Sequence, residues 1–184
     1  ALRHAETLDV GVNGTGVPQG SSGRIYTNNL FDLNNKNTAQ LDSYVLNADS
    51  VQIFQPRFTY HGFRYVEVSG PTSILNSLTL TSLTGCVAHS SVPFTGAFSC
   101  SNTNGNYVNL NKLMTNSFWG LRGNLQGVFT ACASRGERQG YMYDEHIFSQ
   151  TACYLADMGA FLTKTIRDIR ANQAQNGRYP VYAP

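Results

Sequence analysis

The chain runs to 184 residues, of which 41% are apolar and 11% aromatic, enough for one ordinary domain or for one small domain plus part of another. Only 13% of the residues are charged and the net charge of +2 comes without a basic run, so neither nucleic acid nor a membrane surface is an expected partner. No stretch approaches ~18 consecutive apolar residues, so no transmembrane helix is predicted.

The surface composition favours an extracellular, secreted protein. Because so few residues are charged, Asn, Ser, Thr, Gly and Tyr must cover the surface, as is common outside the cell. The chain opens at Ala1 without a signal peptide, so a targeting segment is expected outside this sequence. In a secreted protein, Asn13-Gly14-Thr15 is a glycosylation acceptor.

Four cysteines leave two alternatives open. The spacing of Cys86, Cys100, Cys132 and Cys153 matches neither a zinc ribbon nor a redox pair. An even count permits two disulfides, one of which could join Cys132 to Cys153. Four buried thiols fit the sequence equally well.

The first hundred residues read as strands and turns. A stretch rich in Gly, Asn and Ser at residues 10–23 predicts a long loop. Short aromatic and β-branched runs follow, at residues 44–46, 58–60, 63–68 and 78–87. Two of these runs flank the turn-like pair His61-Gly62, which predicts a hairpin in which His61 hydrogen-bonds locally. Several short strands at this spacing predict one edge of a β-sandwich.

The second half reads as helices. Ser101 is a candidate cap for a helix running through Leu121. Residues 127–143 show no clean period and predict an irregular loop. A helix is expected near Asp144 and a longer one from residues 149–151, where apolar residues recur at three and four positions. Asn176-Gly177 is expected to end it, and residues 179–184 to run extended.

Five segments resemble, in order, the α-L-rhamnosidases of glycoside hydrolase family 78. The most specific is residues 56–68, which closely matches a long segment of that family. Residues 135–144, which include Glu137, resemble its active-site loop. The other three segments are residues 2–8, 96–102 and 151–184. Together they cover nearly the whole chain.

The resemblance implies an α+β chain, in which the C-terminal part of a β-sandwich precedes the first helices of an (α/α) six-hairpin toroid. Residues 1–92 then belong to the concanavalin-like β-sandwich, residues 93–126 form a connecting segment and linker helix, and residues 127–184 begin the catalytic domain. The strongly amphipathic last helix needs packing partners, of which this sequence supplies few. The catalytic domain is therefore expected to be incomplete.

The implied chemistry is hydrolysis of terminal non-reducing α-L-rhamnose with inversion, on a rhamnose-containing glycoside or polysaccharide. Glu137 matches the family's general acid, and Arg135, Tyr141 and Asp144 match substrate-binding residues. The general base is expected beyond Pro184. No cofactor or metal is implied. The isolated 184-residue chain is expected to be inactive, since part of its own catalytic domain is missing.

Several alternatives compete with this interpretation. Glu137 lies between two arginines and could form an ordinary ion pair, while Asp144 could simply cap a helix. Ala131 stands where the family commonly has Asp, so the protein could instead be a degenerate member that binds carbohydrate without catalysis. A third reading is an interaction module using the β-sandwich face. A continuation with further helical hairpins would favour the enzyme.

Overall fold

The computed structural model describes residues 1–9, 23–30, 40–47, 50–101 and 105–184. These residues form two compact units. The first comprises Ala1–Cys86 and Cys132–Glu137, and the second comprises Val87–Ala131 and Arg138–Pro184. Apart from Gly23, the loop predicted at residues 10–23 lies outside the described ranges, and so does the Asn13 triplet. Within those ranges, no helix combines the length and the apolar character that crossing a bilayer requires.

The first unit is built around a short central strand, β1 (Leu2–Ala5). Two further strands pair with it in antiparallel fashion, β4 (Leu41–Asp42) on one side and β5 (Tyr65–Val68) on the other. β2 (Thr7–Leu8) and β3 (Ile25–Tyr26) form a separate two-stranded sheet, and the short helix α1 (Thr72–Leu75) follows β5. The central position of β1 buries its last two residues, His4 and Ala5.

The hairpin predicted around His61-Gly62 is wrong. β5 pairs with β1, opposite Ala5 and Leu2 at its two ends, and residues 58–60 form no strand. Phe58 has a φ of 58°, which breaks an extended run, and its side chain is fully exposed. Residues 44–46 and 78–87 also form no strand. Apolar and β-branched residues favour strands only where a neighbouring strand and a core exist for them to pack on.

The second unit is helical. It contains α2 (Gly105–Asn124), α3 (Met142–Leu155) and α4 (Gly159–Ala171). The helix predicted through Leu121 is confirmed, whereas the break between the next two falls after Leu155 and not at residues 149–151. The last helix ends at Ala171, before the predicted stop, and Gly177 with a φ of 81° closes a later turn. Helix propensity alone does not predict the break between α3 and α4, which is set by packing in the core.

A single apolar core holds the three helices together. Its eight buried members are Leu121, Leu125, Phe129, Ala152, Leu155, Ala156, Met158 and Phe161. The rings of Phe129 and Phe161 meet edge to face at 5.1 Å. Ala156 and Met158, between α3 and α4, are buried in this core while Asp157 between them is exposed, so the chain breaks where these two residues enter the core.

The end of α3 is closed by an extended segment. The N–H groups of Thr95 and Gly96 donate to the Leu155 carbonyl at 3.2 and 3.0 Å, which satisfies one of the carbonyls that every helix leaves open at its C-terminus. Asp157 donates to the Pro93 carbonyl at 2.9 Å. A Cβ at Gly96 would lie 1.9 Å from the Tyr154 carbonyl oxygen, so only glycine permits this approach. The α+β class is confirmed, while the domain boundaries at residues 92 and 126 stay predictions.

Candidate active site

The loop that carries Glu137 is closed by a tight turn at its start. The Arg135 N–H donates to the Cys132 carbonyl at 2.9 Å, and Cys132 takes the left-handed conformation with a φ of 51°. The Arg135 guanidinium also donates to the Cys132 sulfur at 2.9 Å. Burial raises the pKa of the Cys132 thiol, so the thiol stays protonated and neutral at ordinary pH.

Arg135 and Glu137, both predicted as site residues, are brought together by this loop. A guanidinium nitrogen of Arg135 lies 3.3 Å from Glu137 Oε2, with side chains 39% and 26% exposed. The bond to Cys132 is the main cause that raises the pKa of Arg135, and the negative charges of Glu137 and Glu6 add to it. The ordinary ion pair that was the alternative role for Glu137 is therefore present. Because both side chains are partly exposed, this ion pair contributes only about 0–1 kcal/mol to stability. The pair therefore does not exclude a second role for Glu137.

Gly62 packs against the backbone of the loop that carries Glu137. Its N–H donates to the Ala133 carbonyl at 3.3 Å. A Cβ at this position would lie 2.6 Å from the Ser134 nitrogen and 2.8 Å from the Ala133 carbonyl carbon. Ser134 itself is buried. The backbone of the loop thus rests directly on the backbone of residue 62, in the segment that gave the strongest family resemblance.

Tyr141 and Asp144 lie at the start of α3 in the second unit. Tyr141 is the residue before the first helical turn, and its ring meets Tyr182 edge-on at 5.7 Å. Asp144 is exposed within the first turn and Tyr141 holds the N-cap position, so the alternative in which Asp144 is the cap of this helix does not hold. Its charge still sits favourably near the positive end of the helix dipole.

The base of the loop belongs to the second unit. Thr130 and Gly140 form an isolated antiparallel bridge, and the Ala131 N–H donates to the Gln139 carbonyl at 3.4 Å. Ala131 therefore occupies a defined, partly buried backbone position, and its methyl group offers no hydrogen bond to a sugar hydroxyl.

One buried carboxyl was not singled out from the sequence. Glu145 is only 7% exposed on α3, and burial raises its pKa. Neither Glu145 Oε1 nor Thr165 Oγ1 has a hydrogen-bond partner in the described part of the chain. The helical period of α3 places Glu145 in line with Ala152, which is the only sequence signal for its burial.

A second polar cluster, in the first unit, was also missed. One ligand atom each from His4, Asp42 and His61 lies within 4.8 Å of the other two. His61 bonds Asp42 at 2.9 Å, so the prediction of a local partner for His61 is wrong. No spacing could reveal this group, because its members come from β1, β4 and the segment before β5.

All four cysteines carry free thiols. Cys86 and Cys153 are exposed, while Cys100 and Cys132 are partly buried. The structure thus contains neither the two disulfides nor the four buried thiols that the sequence left open.

Two protein-family models match the chain almost end to end. The bacterial alpha-L-rhamnosidase concanavalin-like domain matches residues 1–89, and the bacterial alpha-L-rhamnosidase 6 hairpin glycosidase domain matches residues 93–184. These matches follow the order in which the strand-rich and helical units occur. The chain belongs to the bacterial α-L-rhamnosidase family.

Particular relatives support this assignment. An alpha-L-rhamnosidase of Streptomyces avermitilis is 39% identical over 183 residues, which are 100% of this chain and 15% of that protein. A crystal structure of the S. avermitilis alpha-L-rhamnosidase complexed with L-rhamnose is 40% identical, with a TM-score of 0.80 over 100% of this chain and 16% of that one. The alpha-L-rhamnosidase from Dictyoglumus thermophilum is 34% identical, with a TM-score of 0.79 over 100% of this chain and 18% of that one. The chain thus spans less than a fifth of each relative.

Proposed function

We propose that this chain is the junction between the concanavalin-like and six-hairpin domains of a longer α-L-rhamnosidase, which hydrolyses terminal non-reducing α-L-rhamnose with inversion. Glu137 is the general acid of this reaction. The observation that carries the proposal is the placement of Glu137, partly exposed on a turn that is seated on Gly62 and held by Arg135. A carboxyl held in place but open to solvent can reach a glycosidic oxygen.

In the reaction, the Glu137 carboxyl gives its proton to the glycosidic oxygen as the bond to the anomeric carbon breaks. Water attacks the opposite face, and a second carboxylate takes its proton, which requires carboxyl groups about 6.5–9.5 Å apart. Because Arg135 bonds Oε2, the transferable proton is carried by Oε1 of Glu137. The second carboxylate is expected in the larger part of the protein that this chain does not cover.

Substrate binding falls to Arg135, Tyr141 and Asp144. A guanidinium and a carboxylate suit sugar hydroxyls, and a phenol ring suits the methyl group and apolar face of rhamnose. The 74% exposure of the neighbouring Tyr143 makes it the weaker candidate for an aromatic wall.

The test is Glu137→Gln in the full-length protein, assayed on aryl α-L-rhamnosides. Loss of a general acid is expected to lower kcat/KM by about 10²–10⁴-fold. The loss should be largest for aryl groups that leave poorly, because these need protonation most.

The chain offers a matched control in Glu67→Gln. Glu67 is also paired through Oε2 with an arginine, Arg24 at 3.4 Å, and its side chain is 25% exposed in the same unit. Unchanged activity in Glu137→Gln, or an equal loss in both variants, would exclude Glu137 as the acid. The 184-residue chain alone is expected to show no turnover.

A non-catalytic, carbohydrate-binding member is the second candidate, and the methyl group at Ala131 favours it. In that case the full-length protein binds L-rhamnose in calorimetry without hydrolysing rhamnosides, and Ala131→Asp increases binding or restores turnover. Turnover by the unaltered protein excludes this candidate.

We also propose that the full-length protein is secreted and acts on extracellular rhamnose-containing glycosides or polysaccharides. The low content of charged residues supports this location. Recovery of the protein from the culture medium of its source, after cleavage of a leader, would test the proposal.

A further inference from the structure

We propose that His4, Asp42 and His61 bind a transition-metal dication, with zinc as the best match, in the first unit. Two imidazoles and one carboxylate are the ligands that zinc takes from proteins when three side chains and a water complete a tetrahedral site. The three ligand atoms already lie within 4.8 Å of one another. The proposal stands independently of rhamnoside hydrolysis.

The sheet itself brings two of these ligands together. Leu2 of β1 pairs with Asp42 of β4, so His4 and Asp42 project from the same face of the sheet on neighbouring strands. His61 arrives over that face from the segment before β5. Strand pairing therefore sets the positions of His4 and Asp42, and the segment before β5 supplies His61.

His4 is oriented as a metal-binding histidine usually is. Its Nδ1 lies 3.1 Å from the Gln40 carbonyl oxygen and therefore carries the proton, which leaves the Nε2 lone pair to point elsewhere. Ligating histidines commonly fix their tautomer through such a bond to a backbone carbonyl. The Gln40 carbonyl also accepts from the His4 N–H at 3.0 Å, so ring and backbone are held by the same oxygen.

Asp42 and His61 are joined by a hydrogen bond and need to separate by only about 0.4 Å to share one ion. Asp42 Oδ2 and His61 Nε2 are 2.9 Å apart, and atoms sharing a tetrahedral zinc are about 3.3 Å apart, given bonds of about 2.0–2.1 Å. A cation between them displaces the proton of this hydrogen bond to solvent. The side chains of His61 and Asp42 are 12% and 13% exposed, so neither is completely removed from solvent.

Binding also requires a rearrangement of the two rings. His4 and His61 stack with centroids 4.3 Å apart and an interplanar angle of 21°. Both lone pairs can converge on one ion only after the rings rotate out of this stack. His4 is held at Gln40, whereas His61 lies in an irregular segment, so His61 is the ring that has to move.

A bound metal would also stabilise the segment around Gly62, on which the Glu137 loop packs. Gln40 adopts a φ of 38° and donates from Nε2 to the Gly62 carbonyl at 3.3 Å, while Gly62 in turn donates to Ala133. A metal bound to His61 therefore fixes the residue next to Gly62. We assign it a structural role, as a link between β1, β4 and the segment that supports the loop.

The test is titration of the full-length protein, freed of metal, with cobalt(II) and with zinc. Four-coordinate cobalt gives visible absorption bands, and zinc content is measured by mass spectrometry after dialysis. Asp42→Asn is the informative variant, because the amide oxygen can still accept a hydrogen bond from His61 but is a poor metal ligand. His4→Gln is the second variant, and Glu67→Gln removes a carboxylate from the same sheet as the control.

One metal equivalent and its cobalt bands are expected in the unaltered protein and in Glu67→Gln, and are expected to be lost in Asp42→Asn and His4→Gln. Zinc should raise the Tm of the unaltered protein but not that of Asp42→Asn. Absence of cobalt bands from the unaltered protein overturns the proposal, whatever the variants do. Equal metal content in all four proteins overturns it as well and leaves a hydrogen-bonded cluster.

Discussion

Replacing Gly62 by Ala tests whether the loop that carries Glu137 is positioned by the backbone beneath it. The added Cβ would lie 2.6 Å from the Ser134 nitrogen, whereas ordinary contacts begin at 3.4 Å. The loop must therefore shift by about 0.8 Å to accommodate one methyl group, because the atoms it meets are backbone and cannot rotate away.

The expected consequence is a loss of catalysis that exceeds any loss of binding. A displacement near 1 Å at a reacting group can cost about 10²-fold in rate, and Glu137 follows Ser134 by three residues. We expect kcat on an aryl α-L-rhamnoside to fall by about that factor in the full-length Gly62→Ala protein, while the affinity for L-rhamnose changes less. Steady-state kinetics and calorimetry measure the two separately.

Gly70→Ala is the matched control. Gly70 lies in the same unit, two residues after the end of β5, and a Cβ there meets nothing within 4 Å. Equal kcat in the two variants would refute the seating role of Gly62. A fall in kcat with a lower Tm in both would instead indicate that added side chains disturb the whole unit.

Two further predictions concern the helical unit, both measured by hydrogen exchange of α3 and α4 in the full-length protein. Glu145→Gln should stabilise these helices near neutral pH. Burial raises the folded pKa of Glu145 above its ordinary 4.5, so the protonated carboxyl contributes its full stability below pH 4.5. This contribution is lost as the pH rises through the folded pKa, whereas a glutamine stays neutral. The charge of Asp168 also raises the pKa of Glu145, and that of Lys164 lowers it. If the stability of Glu145→Gln depends on pH as that of the parent does, Glu145 is not the buried carboxyl that titrates. Phe161→Ala should destabilise the unit by about 3–5 kcal/mol, because the residue is 7% exposed and contacts Phe129. Ile166→Ala, at 65% exposure on the same helix, should change stability by less than about 0.5 kcal/mol, and similar effects of the two would refute the core assignment.

The helices were the most predictable part of this chain. α2 and α4 carry apolar residues at three- and four-residue spacing, which is a local signal. The end of α3 was not predictable, because it depends on the Leu155 carbonyl receiving two N–H groups from residues 95 and 96. Such a partner lies far away in the sequence.

The strands show the opposite case. Tyr65–Val68 was correctly read as extended, but its partner is β1 and not the adjacent run. Pairing across more than sixty residues leaves no local pattern, and apolar composition at residues 44–46 and 78–87 was mistaken for strand propensity. Of the candidate site, Glu137 and Arg135 were found through resemblance and lie together. The His4 cluster depends on the pairing of β1 with β4 and on the segment before β5, which lie far apart in the sequence.

The division of the loop between the two units limits how members of this family can be recombined. Residues 132–137 pack with the strand-rich unit, although the chain on both sides of them belongs to the helical unit. A chimera joined near residue 90 would bring a loop from one parent onto the Gly62 seat of another. Such exchanges should succeed only when residues 132–137 and the segment around Gly62 come from the same parent.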